Sequence, residues 1–133
     1  MILLFFMNSH PETFKKSGRL CSLKAINNLF ETGRSLNLRI VRVVYIISDD
    51  AGAFPPVRLL ISVPKRNFKK AVDRNLIKRR IREAFRKNKN DLYELLKTKK
   101  KNADIAIIWT ANSALTYSET ETVVREMIHK IPL

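Results

Sequence analysis

The sequence predicts a mixed α+β fold, an α/β two-layer sandwich in which one small sheet is packed by helices. Three observations support this class. The length of 133 residues suits one domain, 45% of the residues are apolar, and segments of helical periodicity alternate with β-branched runs. No internal repeat or linker divides the chain, so we expect one domain over residues 14–133. Residues 1–13 are expected to form a flexible N-terminal extension, with Met7 as a candidate true start.

The first half of the chain predicts one helix followed by two strands. A helix is expected from Ser22 to Thr32, because its apolar residues recur at helical spacing and Gly33 follows as a stop signal. Alternation from Leu38 to Ser48 predicts a strand, and the β-branched run Val57–Val63 predicts another, with a turn-rich loop over 49–56 between them. The simplest arrangement pairs these two strands antiparallel.

The second half predicts a long helix, a short strand and a closing helix. Residues Lys69–Asn88 contain neither Gly nor Pro, and Asp91–Lys97 predicts a further short helical turn. Ile105–Trp109 predicts a buried strand. Two pairs of residues fit the capping-box spacing that marks the start of the last helix: Thr116 with Glu119, and Ser118 with Glu121.

Charge is the most unusual property of the chain. Twenty-six Lys and Arg stand against 12 Asp and Glu, giving a formal net charge of +14 and a pI of about 10.4. Such a surface favours a polyanion as partner. A membrane partner is not expected, because the apolar run Ile2–Met7 is far shorter than the roughly 20 residues that span a bilayer. With the single cysteine Cys21 no internal disulfide can form, which favours a reducing, cytoplasmic location.

Most of the excess charge lies in residues 65–89, which contain twelve basic and two acidic side chains, a local net of +10. At about 100° per residue, polar and basic residues of the predicted helix lie together on one flank, turned away from the apolar stripe. We call this flank the cationic ridge. The ridge consists of Asn75, Arg79, Arg82 and Arg86, with Lys78 and Lys89 beside them. Because no acid relieves the repulsion within it, we expect phosphates to neutralise it. The alternative is a face that only keeps the protein soluble.

The same segment carries the motif Arg74-Asn75-x-x-Lys78-Arg79-x-x-Arg82, which resembles the signature of the bacterial ribonuclease P protein family. The similarity extends over roughly residues 14 to 131. Flanking segments agree with the family in order: Arg19-Leu20, Leu29 to Gly33, Ile61-Ser62-Val63, and Leu115 to Glu119.

This resemblance implies a sheet with a left-handed βαβ crossover and contact with the catalytic RNA of ribonuclease P. The RNA-contacting residues that it implies are Arg66, Arg74, Asn75, Lys78, Arg79, Arg82 and Arg86, with Lys65 as an alternative to Arg66. It also implies endonucleolytic removal of the 5′ leader from precursor tRNA, with catalysis carried by the RNA and Mg²⁺ held mainly by the RNA. No catalytic residue or metal ligand is expected in the protein, although the Asn75 amide suits contact with an RNA-bound Mg²⁺.

A second implied site is a cleft between the sheet and the first helix that binds the single-stranded leader. The matching residues are Phe30, Val43 and Tyr45. Aromatic side chains in a groove stack on unpaired bases, worth about 1–3 kcal/mol per base. The alternative is that Phe30 and Tyr45 are core residues.

Three rival functions remain open at this point. A structural ribosomal RNA-binding protein shares the charge and the fold type but has no preference for a leader. A protein-only nuclease needs clustered carboxylates or a His pair, whereas the acids here are scattered. A DNA-binding protein needs a recognition helix joined to a second helix, which the sequence does not show.

Overall fold

The computed structural model of the chain describes residues 23–49 and 56–132. The predicted N-terminal extension, Met7, Cys21 and the start of the first helix at Ser22 lie outside these residues. The elements, in chain order, are α1 Leu23–Thr32, β1 Arg34–Asn37, β2 Val41–Ser48, β3 Val57–Ser62, α2 Ala71–Lys99, β4 Asn102–Trp109 and α3 Tyr117–Lys130.

The four strands form one sheet in the order β1-β2-β4-β3. β2 is antiparallel to β1 and to β4, whereas β3 is parallel to β4. The predicted mixed α+β class with a mostly antiparallel sheet is therefore confirmed. The predicted antiparallel pairing of the strands Leu38–Ser48 and Val57–Val63 is wrong, because β4 lies between β2 and β3. The segment from β3 through α2 to β4 forms a parallel crossover, and its left-handed sense stays a prediction.

Two other elements differ from the sequence prediction. The predicted strand Leu38–Ser48 starts at Val41, and the separate strand β1 precedes it. The predicted break between the long helix and the turn at Asp91–Lys97 is absent, because α2 runs without interruption to Lys99. Leu92 and Leu96 are both buried and continue the apolar stripe of the helix, so packing on the core holds this second part helical.

Each face of the sheet is covered by helices. The larger core lies between the sheet and the pair α2 and α3, and it includes Ile81, Phe85 and Trp109. The smaller core lies under α1, where Ile26 and Leu29 pack on the middle of the other face. α1 approaches the sheet closely at Gly33, where a Cβ would come to 2.8 Å from Val44 Cγ1 and closer still to the Leu29 carbonyl oxygen. This contact requires glycine.

The ends of α2 and α3 follow local rules. Thr116 is the N-cap of α3, and its hydroxyl accepts from the Glu119 N–H at 3.2 Å in a reciprocal capping box. Of the two predicted pairs, the structure therefore selects this one. α2 ends at Lys100, which adopts the left-handed conformation with φ 55° and ψ 49°, and the Lys101 N–H then donates to the Leu96 carbonyl at 2.9 Å.

Candidate nucleic-acid interface

The first half of α2 presents the predicted ridge to solvent. Asn75 and Arg79 are exposed, and no described residue pairs the Arg79 guanidinium with a carboxylate. Lys78, Arg82 and Lys89 are half-buried along the flank of the ridge. The stripe on the opposite side, which includes Ile77 and Ile81, is fully buried. The helix therefore separates an anchored apolar side from a cationic side, as the periodicity predicted.

The proton affinities of three cations of the ridge are lowered, first by burial and then by repulsion from neighbouring cations. Burial, followed by the charges of Arg74 and Arg82, lowers the pKa of Lys78. Burial, followed by the charge of Arg79, lowers the pKa of Arg82, and burial followed by the charge of Arg86 lowers that of Lys89. Each shift means that the charged form is less favourable here than in water. An anion placed against the ridge would reverse the Coulombic part of these shifts.

Arg86 differs from the other arginines of the ridge. Its guanidinium donates to both carboxylate oxygens of Glu83, at 2.6 and 3.0 Å, one turn back on the same helix. The hydrogen bond from Arg86 is the largest influence on Glu83 and lowers the pKa of that carboxyl group. Arg86 therefore has a partner within the chain, and the exposed centre of the ridge lies at Asn75 and Arg79.

Arg74, the first residue of the sequence motif, is not brought to the ridge. Only 9% of it is exposed, and its Nη1 donates to the carbonyls of Phe68 at 2.8 Å and Lys69 at 3.0 Å. The loop that it binds precedes α2 and carries four exposed cations: Lys65, Arg66, Lys69 and Lys70. Arg66, which the sequence predicts to contact RNA, therefore lies beside three other exposed cations. The sequence analysis did not identify these four residues as a group.

Contacts with α3 fix the rotation of α2 about its axis. The Asn88 amide donates to Glu121 Oε2 at 3.1 Å, and Arg125 donates to the Asn88 side-chain oxygen at 3.0 Å. The hydrogen bond from Asn88 is the largest influence on Glu121 and lowers its pKa. Arg80 donates to the Leu115 carbonyl before α3. Because both contacts lie on one flank of α2, they hold the ridge turned outward.

The three residues predicted for the leader cleft do not lie together. Phe30 is on α1 and 36% exposed, whereas Val43 and Tyr45 belong to the large core on the other face of the sheet. The face that α1 covers carries the alternate residues of β2, which are Arg42, Val44 and Ile46. A shift of one residue along a strand moves a side chain to the opposite face.

Arg42 is therefore a functional candidate that the sequence analysis missed. It is exposed and lies in one cross-strand row with Ile108 of β4 and Ser62 of β3, on the face shared with α1. Neighbouring strands are about 4.8 Å apart, so Arg42 on β2 lies about 10 Å from β3, the strand that leads into the cationic loop. Alternation alone could not reveal the row, because its members belong to three strands whose order the sequence did not predict.

The same face also holds an ion pair. Arg58 of β3 donates from Nε and Nη2 to the two carboxylate oxygens of Asp104 on β4, at 2.9 and 2.8 Å. These residues are direct neighbours in the parallel register. The pair neutralises one end of the face and leaves the excess positive charge at the other end, towards Arg42 and the loop before α2.

Two kinds of site are missing from the described part of the chain. Over residues 23–49 and 56–132, no group of three or more His, Cys, Asp or Glu side chains could hold a metal ion. No helix within those same ranges is long and apolar enough to cross a membrane.

The fold and the site together define a basic α+β protein that presents a cationic helix flank and, next to it, a cationic loop. Comparison with known proteins identifies the family. A family model for ribonuclease P matches residues 14–132, nearly the whole chain. The chain therefore belongs to the ribonuclease P protein family, whose members are partners of the ribonuclease P RNA and bind RNA in tRNA processing.

Individual relatives agree with this assignment. A ribonuclease P protein component from Porphyromonas gingivalis is 33% identical over 124 residues, which cover 91% of this chain and 89% of the relative. One from Chlorobium phaeobacteroides is 34% identical over 88 residues, covering 65% and 60%. The solved Staphylococcus aureus RNase P protein has a TM-score of 0.61 at 26% identity, covering 86% and 94%. The Thermotoga maritima RNase P protein, at 24% identity and a TM-score of 0.67, shows the same fold over 86% and 97%.

Proposed function

We propose that this chain assists the catalytic RNA of ribonuclease P in removing the 5′ leader from precursor tRNA. The ridge and the loop before α2 bind phosphates of the RNA, and the RNA carries out the hydrolysis. The observation that carries this proposal is the exposed Arg79 side chain among mutually repelling cations in a chain of this family. A planar guanidinium grips two phosphate oxygens at once, which a lysine cannot do.

The protein's contribution to the reaction is positioning. Each cation that contacts a phosphate replaces a condensed counterion, so binding strengthens steeply as salt is lowered. By neutralising phosphates of both RNAs, the ridge allows them to approach each other. Mg²⁺ would then be held mainly by the RNA, with the exposed Asn75 amide placed to accept a hydrogen bond from a water of the hydrated ion.

For the leader, the geometry supports a groove different from the one expected from sequence. We place this groove on the face of the sheet that α1 covers, with Arg42 and the half-buried Ile108 as its floor and α1 with the partly exposed Phe30 as its wall. Arg42 supplies a cation for the leader backbone, and Phe30 offers an aromatic face for an unpaired base. Val43 and Tyr45 support this groove from behind the sheet. Only precursor tRNA fills the groove, so the protein should favour substrate over mature tRNA.

Reconstitution with a bacterial ribonuclease P RNA tests the proposal. At low Mg²⁺, adding the protein should accelerate cleavage of precursor tRNA, and the affinity should increase with leader length up to the reach of the groove. Arg42→Ala should reduce the dependence on leader length, whereas Tyr45→Phe should leave it unchanged. A chain that binds RNA but neither stimulates cleavage nor prefers a leader would instead be a structural RNA-binding protein of similar fold.

A further inference from the structure

Arg74 is a buried cation without a carboxylate partner among the described residues. It lies in the first turn of α2, where the helix dipole is positive and disfavours a cation. Two backbone carbonyls compensate for this placement, those of Phe68 and Lys69, and both are bound by the same nitrogen atom of Arg74. The charge of this side chain is thus used to hold the backbone of the loop before α2.

Two further contacts hold the same loop. The Asn67 N–H donates to the Pro64 carbonyl at 3.2 Å, which closes a turn at the start of the loop. The Phe68 side chain is 8% exposed and packs into the large core. Between these contacts the four cationic side chains of residues 65–70 remain exposed. The loop therefore presents cations outward on a backbone fixed from inside, next to the N-terminal end of the ridge.

We infer that Arg74 is a positioning residue of the RNA-binding surface and does not itself contact phosphate. By holding the carbonyls of residues 68 and 69, it orders the loop before RNA arrives, so that the loop cations extend the ridge. Ordering a segment in advance raises affinity, because the conformational entropy is not lost at the moment of binding. This inference rests on the proposed function for its RNA partner.

The salt dependence of RNA binding separates positioning from contact. Arg79→Ala removes an exposed contact residue and should lower the log-log salt slope by about 0.7 to 0.9. Arg74→Ala should weaken binding of the ribonuclease P RNA and lower the slope by clearly less than one full contact, because the loop cations are only less well placed. A slope lowered by a full contact in Arg74→Ala would overturn the inference.

A double-mutant cycle with Lys69→Ala tests the mechanism. The Lys69 side chain is exposed, and the alanine variant keeps the carbonyl that Arg74 binds. If Arg74 places this side chain, Lys69→Ala should cost less affinity in the Arg74→Ala background than alone, with non-additivity of at least about threefold. Additive effects would contradict the inference.

Hydrogen exchange of the free protein provides a test that does not depend on RNA. The Asn67 amide, which donates to the Pro64 carbonyl, should exchange faster in Arg74→Ala, while the amides of α2 beyond Ile77 stay protected. Arg74→Lys, which keeps the positive charge and hydrogen-bond donors on a long side chain, should restore much of the protection and of the affinity. Unchanged exchange in Arg74→Ala would sink the inference. If the unmodified chain failed to bind the RNA, the proposed function would fall, yet the exchange result would still decide whether Arg74 orders the loop.

Discussion

The two ends of α2 are similarly rich in cations but differ in what stabilises those cations. At the C-terminal end, Lys97 and Lys99 lie in the last turn, where the helix dipole favours positive charge by about 0.3–1 kcal/mol each. At the N-terminal end, Lys69 and Lys70 oppose the dipole, and only Asp73 complements it. The comparison shows that charge density alone does not mark a binding surface. A binding surface is indicated where exposed cations do not stabilise the free protein.

The largest effect is expected from the C-terminal half of α2, and it is an effect on stability. Leu92 is fully buried in the large core, so Leu92→Ala should lower the free energy of unfolding by about 2–5 kcal/mol. RNA affinity, measured below the melting temperature, should be retained. Urea titration combined with filter binding checks both parts. A selective loss of RNA binding in a variant that remains folded would show that packing of the C-terminal half of α2 also positions the RNA-binding surface.

The next effect is on RNA binding and concerns the ridge. The double variant Arg79→Ala with Arg82→Ala should weaken binding by roughly tenfold or more for each side chain, at about 1.5 kcal/mol per charge-assisted hydrogen bond. The log-log salt slope should fall by about 0.7 to 0.9 for each contact.

The matched control removes the same charge from the other end of the helix, as Lys97→Ala with Lys99→Ala. Salt titrations of both variants should show a much smaller change in affinity and slope for the control. Equal losses in the two variants would mean that net charge, rather than placement, governs binding.

A smaller effect is expected in the pH dependence of stability. Burial and the neighbouring cations lower the pKa of Lys78 below its ordinary 10.5. Between that lowered pKa and pH 10.5, Lys78 has lost its proton in the native state but keeps it in the unfolded chain. This contribution to the free energy of unfolding therefore rises with pH. Lys78→Met should lack the rise and be more stable near neutral pH, by up to about 0.5 kcal/mol per like-charge pair removed.

Thermal unfolding of the two proteins at several pH values between 7 and 10.5 measures the difference directly. Subtracting the two curves removes the contribution of other groups, including Tyr93, whose burial raises its pKa to about 12. A difference that stays flat or falls with pH would show that the charge of Lys78 does not destabilise the free protein.

The smallest effect is expected at Lys100, the left-handed residue that ends α2. Lys100→Gly relieves about 1 kcal/mol of backbone strain and loses a charge at a favourable place, so the protein should gain less than about 1 kcal/mol. Lys99→Gly removes the same charge from a helical position and should destabilise by about 1 kcal/mol. Denaturant midpoints give both values, and destabilisation by both variants would contradict the account of the helix end.

The parts of the fold that follow one periodic pattern were predictable from sequence. The apolar stripe of α2 with its opposite ridge depends only on residues a few positions apart, and so does the capping-box spacing before α3, for which the structure selects Thr116 from two candidates. Sheet order was not predictable, because the neighbours of β4 are decided by packing across distant segments. Alternation along β2 separates Arg42 from Val43 and Tyr45, but it does not say which of the two faces α1 covers, so Val43 and Tyr45 were assigned to the wrong face.

Among the site residues, the burial of Arg74 was the property that the sequence could not supply. Arg79 and Arg74 carry the same guanidinium in one motif, yet the first is exposed and the second is buried against carbonyls. A long side chain near the start of a helix can reach either solvent or the preceding loop, and only the path of the loop decides. The groups that contact RNA, leader and Mg²⁺ remain predictions from sequence and geometry.

The central place of β4 also sets the order in which the molecule is completed during synthesis. β3 and α2 leave the ribosome before β4, yet β4 is the strand to which β3 is hydrogen-bonded, and it also joins β2. Until residue 109 has emerged, β3 has no partner in the sheet and the cationic helix has no complete surface on which to pack. In a nascent chain halted before that residue, the cationic helix would be incompletely packed and exposed to the RNA of the ribosome.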